Sequence, residues 1–288
     1  MQRPDVTAFF DEPTNTVSYI VTDPDTRKCA VIDSVLDFDQ ASGRTSTRSA
    51  EQIISYIKEQ ELDCEWIIDT HVHADHLTAS RFIKSNIGGK TAIGEKIAVV
   101  QDVFKGLFNE GQSFHTDGSQ FDHLFTDGEI YHIGNIEAQT LHTPGHTPAC
   151  MSHVIGDAVF VGDTLFMPDY GSARCDFPGG DAGVLYDSIQ KLFQLPDEMR
   201  MYLCHDYQPE GRNQYVWETT IGEQKTNNIH LGHHASREAF IKMRTERDAT
   251  LDMPKLILPS VQINMRAGAM PPAEENGVSY MKLPINLL

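Results

Sequence analysis

The sequence predicts an α/β protein built as a four-layer sandwich, two sheets packed face to face with helices outside. Three observations predict it. Runs of strands followed by helices occur twice over, which is the order that stacks two sheet-and-helix halves on each other. The strand candidates are apolar and β-branched, and turn residues separate them. Four of these apolar runs end directly at a His or Asp, so the strands also aim polar side chains at one region.

In the first half, Val6–Phe10, Thr16–Val21 and Cys29–Ile32 read as strands, divided by Asp11-Glu12-Pro13 and Asp23-Pro24-Asp25. Asp33 ends the third strand, and residues 34–46 read as a polar loop. From Ser49 to Glu61 the period becomes helical, with Ile53, Ile54 and Ile57 on one face. A strand at Glu65–Asp69 leads into Thr70-His71-Val72-His73-Ala74-Asp75-His76. The stretch His76–Ile87 reads as a helix whose N-terminus lies at this His-rich stretch and which stops at Gly88-Gly89. A strand near Thr91–Ile93, a helix near Glu95–Phe108 and a long loop over 109–128 follow.

The second half repeats the order. Glu129–Ile133, Ile136–Leu141, Cys150–Val154 and Ala158–Val161 read as strands, Gly183–Leu195 as a helix and Met201–Cys204 as a strand. The expected domain is residues 1–210. Residues 211–288 are expected to form a helix near Ser236–Thr250 and a proline-punctuated irregular tail packed on the same domain.

Composition narrows the function. The chain has 288 residues, 40% of them hydrophobic, enough for a large core. Its formal net charge of -18 leaves no basic stripe for phosphate, which argues against nucleic acid as a partner. No stretch is long and apolar enough to span a bilayer. The first residues lack the apolar run of a secretory signal, and the five scattered cysteines form no C-x-x-C pair. The expectation is a cytoplasmic protein with reduced, mostly buried thiols.

The chemistry is concentrated at strand ends. His71 follows Trp66–Thr70, His146 follows the strand before Leu141–Gly145, Asp163 follows Val159–Gly162, and His205 follows Met201–Cys204. With His73, Asp75 and His76 they make seven candidate metal ligands. Imidazole and carboxylate suit zinc, iron and manganese, and strands fixed by packing hold ligands to short tolerances. Gly145 and Gly162 stand beside ligands and would allow close backbone approach. His115, His123, His132, His142, His153, His230, His233 and His234 lie outside this pattern and are expected on the surface or in packing.

This constellation resembles the metallo-β-lactamase superfamily. Its H-x-H-x-D-H pattern stands here as His71, His73, Asp75 and His76, and its later His, Asp and His as His146, Asp163 and His205. The resemblance implies the αββα sandwich with a metal site at one edge of the sheets. One site would hold His71, His73 and His146; the other Asp75, His76 and His205, with Asp163 able to bridge.

Residues beside the ligands carry the resemblance further. Thr70–Ser80, Gly171-Ser172-Ala173-Arg174-Cys175-Asp176-Phe177, Cys204-His205-Asp206-Tyr207 and Asn264-Met265-Arg266-Ala267-Gly268 resemble segments of the persulfide dioxygenases, closest to bacterial members of β-lactamase-hydrolase-like type. Ser172 and Cys175 depart from that family, which often has Cys and Thr there. By this resemblance a single Fe(II) would be held by His71, His146 and Asp163, leaving positions for substrate and O₂. His73, Asp75, His76 and His205 would hydrogen-bond the ligands or bind a second metal. Arg174 would pair with a substrate carboxylate, and Tyr207 would line the substrate. The implied reaction oxidises glutathione persulfide with O₂ and water to sulfite and glutathione, with no protein nucleophile, and a homodimer is the family expectation.

The competing reading is a zinc thioesterase of the glyoxalase II type, using all seven ligands and a metal-bound hydroxide. Gly162-Asp163-Thr164-Leu165-Phe166 fits it, but that family usually reads H-E-Y where this chain has His205-Asp206-Tyr207. A vestigial, non-enzymatic site is disfavoured because no candidate ligand is missing.

Overall fold

The computed structural model describes residues 2–232 and 235–287. His233 and His234 lie outside the described residues.

The first sheet has six strands: β1 (Asp5–Asp11), β2 (Thr16–Thr22), β3 (Lys28–Ile32), β6 (Asp63–Ile68), β8 (Lys90–Gly94) and β9 (His123–Phe125), in that spatial order. The second also has six: β10 (Ile130–Ile133), β11 (Ile136–His142), β12 (Met151–Ile155), β13 (Ala158–Phe160), β14 (Arg200–Tyr202) and β15 (Glu218–Thr220). Alternation along the strands sends side chains to two cores. In β2, Val17, Tyr19 and Val21 face the space between the sheets, where they meet Ile32, Ile68, Phe125 and Phe160. Ile20 turns the other way. It packs with Ile53, Ile54 and Ile57 of α1 (Arg48–Glu59) and Ile83 of α2 (Ser80–Ile87).

The outer face of the second sheet is covered by α4 (Ala182–Leu192) and α6 (Arg237–Asp248), with Val159, Met201, Leu185, Ile189 and Phe240 in contact. A further core joins α3 (Ile97–Leu107) to α7 (Ile257–Asn264) through Phe104, Phe108, Val261 and Met265. The layers are therefore helix, sheet, sheet, helix. All five cysteines are buried and none is in a disulfide. No helix of the described residues is long and apolar enough to cross a membrane.

Four sequence expectations are corrected. Residues 34–46 are not a loop. They form β4 (Val35–Asp39) and β5 (Arg44–Ser46), a hairpin completed by β7 (Leu77–Thr78) into a small third sheet. The alternation Val35-Leu36-Asp37-Phe38-Asp39 is a strand signal obscured by its aspartates.

The expected helix from His76 begins only at Ser80, so its N-terminus does not reach the His-rich stretch. Asp69 accepts hydrogen bonds from the hydroxyls of Thr78 (2.8 Å) and Ser80 (3.0 Å), and Thr78 N–H donates to Asn264 (2.8 Å), which keeps 77–78 extended. The 109–128 loop contains β9, paired parallel to β8.

The C-terminal tail is the fourth correction. It contains β15, which pairs with β14 in the second sheet, and two further helices, α5 (Ile221–Asn227) and α7. Pro259 does not break α7, because it stands in the first turn, where its missing N–H has no intrahelical partner to lose.

His153 fills the core between Phe125 and Tyr131, and its Nδ1 and the Tyr131 hydroxyl share a hydrogen bond at 3.0 Å. Burial holds its pKa down at about 4. An unfolded chain protonates the imidazole near the ordinary value of about 6.5. Stability is therefore complete above that pH and falls as the pH drops towards 4, by roughly 3 kcal/mol from this one group. Denaturant titrations at pH 7 and pH 4.5 should show the loss. A His153→Leu variant should lose distinctly less between those two pH values.

Candidate metal centre

The C-terminal ends of β6, β13 and β14 converge with the loop after β11, and each delivers its side chain from a packed strand. His71, His146 and Asp163 place one ligand atom each within 4.8 Å of the others. Asp163 Oδ2 lies 3.8 Å from His71 Nε2 and 3.7 Å from His146 Nε2. These are too long for hydrogen bonds, but suit donors grouped around one cation at ~2.1 Å from each.

Backbone closeness at this point needs Gly162, which has φ +51°. A Cβ there would stand 2.5 Å from Thr70 Oγ1 and 2.9 Å from Thr70 Cβ. Only glycine lets the end of β13 approach the end of β6 so closely.

The hydrogen bonds set which ring nitrogen of each His is free. Asp33 accepts from Thr70 N–H (2.7 Å) and from the Thr70 hydroxyl (3.0 Å). With that hydroxyl proton committed, Thr70 Oγ1 accepts from His71 Nδ1 at 3.0 Å, so the lone pair of His71 is on Nε2. His146 Nδ1 donates to the Arg174 carbonyl at 2.8 Å, which also leaves its Nε2 as the acceptor. Both Nε2 atoms face Asp163. Burial and the neighbouring His73 push the His71 pKa well down, so the ring is neutral and able to ligate. Burial opposes ionisation of Asp163, but His205 and His71 outweigh it and hold the carboxyl well below the usual range.

A metal fits this place on the protein's own terms. His71 Nε2, His76 Nε2, His205 Nε2 and Asp163 Oδ1 are buried with no hydrogen-bond partner. Bare donors and acceptors around a common space are costly unless a cation completes them.

The remaining candidates are arranged differently from the pairing expected of a two-metal site. His73 donates from Nε2 to Asp33 at 2.9 Å. Burial works against this charge, but Asp33 overrides it and raises His73 to about 9, while His73 lowers Asp33 to about 2. His73 groups with Asp75 and His76, and separately with Cys204 and His205. The His76 and His205 rings stand 6.3 Å apart. His205 donates from Nδ1 to the Asn15 carbonyl (3.1 Å), and its Nε2 lies 3.2 Å from Asp163 and 3.3 Å from Asp75. Against the cost of burial, those two carboxylates raise it to about 10.

Asp75, His146 and Asp163 of the cluster form the floor of a cavity of about 600 Å³, within the range of small-molecule sites. Tyr207 and Tyr170 stack on one wall at 4.8 Å, and Tyr207 also stacks on His205 at 5.7 Å. Arg174 lines the cavity, but its guanidinium is engaged by both oxygens of Asp176 (2.5 and 2.6 Å) and by the Asp252 carbonyl (2.7 Å). Its carbonyl orients His146, and its side chain ties the cavity wall to the loop after α6.

Three residues at the site were given no role from the sequence, although Asn264 opens the tail motif. Asp33 anchors both Thr70 and His73. Thr16, where β2 begins, bridges to His205 across the two sheets, and its hydroxyl lies 3.3 Å from His76 Nδ1. Asn264 donates to the carbonyls of His73 and His76, each at 2.8 Å. Asp33 had a signal, since it ends an apolar strand as the ligands do; Thr16 had none.

Comparison with known proteins agrees with this geometry. Residues 11–205 match the model of the metallo-beta-lactamase superfamily. A probable metallo-hydrolase of Burkholderia pseudomallei is 51% identical, covering 98% of this chain and 99% of its own. Glyoxylase B2 of Dictyostelium discoideum is 52% identical over 93% of this chain and 92% of its own. Human mitochondrial persulfide dioxygenase ETHE1 is 30% identical over 91% and 88%. The crystal structure of ETHE1 from Myxococcus xanthus superposes with a TM-score of 0.72 at 31% identity, covering 92% of this chain and all of that one. The chain belongs to the metallo-β-lactamase superfamily and is similar within it to the persulfide dioxygenases.

Proposed function

We propose that the protein is a persulfide dioxygenase with one Fe(II) held by His71, His146 and Asp163. The overall change is glutathione persulfide + O₂ + H₂O → glutathione + sulfite + 2 H⁺. The observation that carries this reading is the donor set. Two imidazoles and one carboxylate, with ring orientations fixed by Thr70 and by the Arg174 carbonyl, face one point at the floor of a cavity. Two His and one carboxylate with open positions is the arrangement of non-haem Fe(II) oxygenases. Iron bound there supplies the one-electron chemistry that lets O₂ react with a spin-paired sulfur.

The chain's own residues do the rest. The Asp33–Thr70 pair holds His71 in the ligating tautomer, as partners behind a metal ligand generally do. His205 Nε2 lies 3.2 Å from Asp163 and 3.3 Å from Asp75, and so stands behind the proposed ligand Asp163. Tyr207 and Tyr170 form an aromatic wall that excludes water from one side of the floor and lines the substrate sulfur.

The glyoxalase-type thioesterase is favoured by the bare Nε2 atoms of His76 and His205, which a second cation would satisfy, and by the similarity to glyoxylase B2 and to the probable metallo-hydrolase. Offering glutathione persulfide and S-lactoylglutathione to iron-loaded and to zinc-loaded protein separates the two. The dioxygenase reading expects oxygen uptake and sulfite from the iron form with persulfide, and no more than background thioester cleavage from either form. Thioester cleavage by the zinc form, with no oxygen uptake by the iron form, would overturn it.

A further inference from the structure

Four cationic side chains from the second half of the chain border the cavity, and two of them are already neutralised. Arg174 is held by Asp176. Arg244, almost fully buried, is held by Asp248 at 2.6 Å and donates to the Ser172 carbonyl at 3.0 Å. The other two are Arg247, one turn further along α6, and Lys255, in the connection to α7. Both line the cavity and are exposed, and neither has an ion-pair partner among the described residues. The acids of the cavity lining are Asp75 and Asp163 at the metal floor and Asp252 at the rim. In a chain with 41 acidic and 23 basic residues, the cavity rim therefore runs against the overall charge.

The geometry points to Arg247 and Lys255 as the subsite for the carboxylates of the thiol carrier. The substrate class is then a small peptide-like thiol with carboxylate groups, as glutathione is, its sulfur at the metal floor and its anionic end at the rim. This rests on the persulfide reading for the sulfur end only. The Arg247 fork suits a carboxylate through two hydrogen bonds, and Lys255 supplies a movable point charge for a second one. Arg174, which the sequence favours for this task, has its donors committed to Asp176 and Asp252.

Calorimetry of the full-length, metal-loaded protein with S-methylglutathione tests this without turnover. Exposed charge pairs are individually modest, so each of Arg247→Gln and Lys255→Gln should weaken binding about three- to tenfold. The double variant should weaken it at least about tenfold, and added salt should reduce the wild-type affinity. The S-methylglutathione diethyl ester should bind the wild type as weakly as the acid binds the double variant. In oxygen-uptake assays, KM for glutathione persulfide should rise with kcat little changed. Equal binding of S-methylglutathione by wild type and double variant would overturn the assignment. So would coenzyme A binding better than S-methylglutathione with the same dependence on these residues, which would make the rim a phosphate site. Carboxylate-dependent binding with no oxygen uptake would leave the subsite standing and remove only the dioxygenase reading.

Discussion

Replacing Asp33 with Ala is expected to lower metal affinity by about 10- to 100-fold and to destabilise the metal-free protein by about 3–5 kcal/mol. The residue sits at the end of β3 with φ +53°, fully buried, and accepts from Thr70 N–H, the Thr70 hydroxyl and His73 Nε2. Its loss strands three buried donors at once. It also frees the Thr70 hydroxyl to donate to His71 Nδ1, which would shift the ring proton to Nε2, the atom that faces the metal.

The pH dependence of this ion pair has two limbs. Asp33, lowered to about 2, contributes stability that is present above about 4 and lost as the pH falls through 2. His73, raised to about 9, contributes stability that is present below about 6.5 and lost as the pH rises through 9. Metal-free Asp33→Ala should lack both limbs. Asp33→Asn, which tolerates the left-handed backbone, should recover part of the stability but not the charge-dependent part. Chemical denaturation across pH, with iron or zinc titration alongside, measures both effects. A metal affinity unchanged in Asp33→Ala would show that the Thr70 relay does not set the ligating tautomer.

Replacing Asn264 with Ala is expected to cost about 2–4 kcal/mol, since one buried amide makes three hydrogen bonds that no other group replaces. Its Nδ2 donates to the carbonyls of His73 and His76, and its Oδ1 accepts from Thr78 N–H. A side chain of the tail thereby clamps the loop that carries four of the seven candidate ligands. Iron retained after anaerobic dialysis should fall along with the melting temperature. Asn264→Asp keeps the acceptor but turns a carboxylate oxygen onto the two carbonyls, so it should be no more stable than Asn264→Ala and should loosen the loop at least as much. Wild-type melting and full iron retention in Asn264→Ala would show that the loop is held by its own packing alone.

The sandwich was legible because its strands carry strong apolar, β-branched patterns and its helices a 3.6-residue period. The parts that were not legible depend on polar pairing with residues outside the element itself. β4 reads as loop because Asp37 and Asp39 interrupt its apolar run; Asp37 is held by Ser49 in the following helix and Asp39 by the adjacent turn at Ala41–Ser42. β7 reads as helix because its extended form depends on Asp69 and on Asn264, the second of which is 186 residues away from Thr78.

All seven candidate ligands lie in one region, yet their grouping was not readable from spacing. The sequence places His71 and His73 two apart, on a loop, where either ring could turn to the metal. Asp33 holds the Nε2 of His73, while its Nδ1 is buried without a partner. Arg174 shows the opposite difficulty. A motif can place an arginine in a substrate cavity, but its partner Asp176, two residues on, decides whether it is available.

The most direct test is the iron count per chain after anaerobic loading and desalting, taken on wild type, Asp163→Ala and His76→Ala. One iron in wild type, near none in Asp163→Ala and close to one in His76→Ala is the result expected of a single metal held by His71, His146 and Asp163. Two metals per wild-type chain, one of them lost in His76→Ala, would contradict it and make the centre a two-metal site.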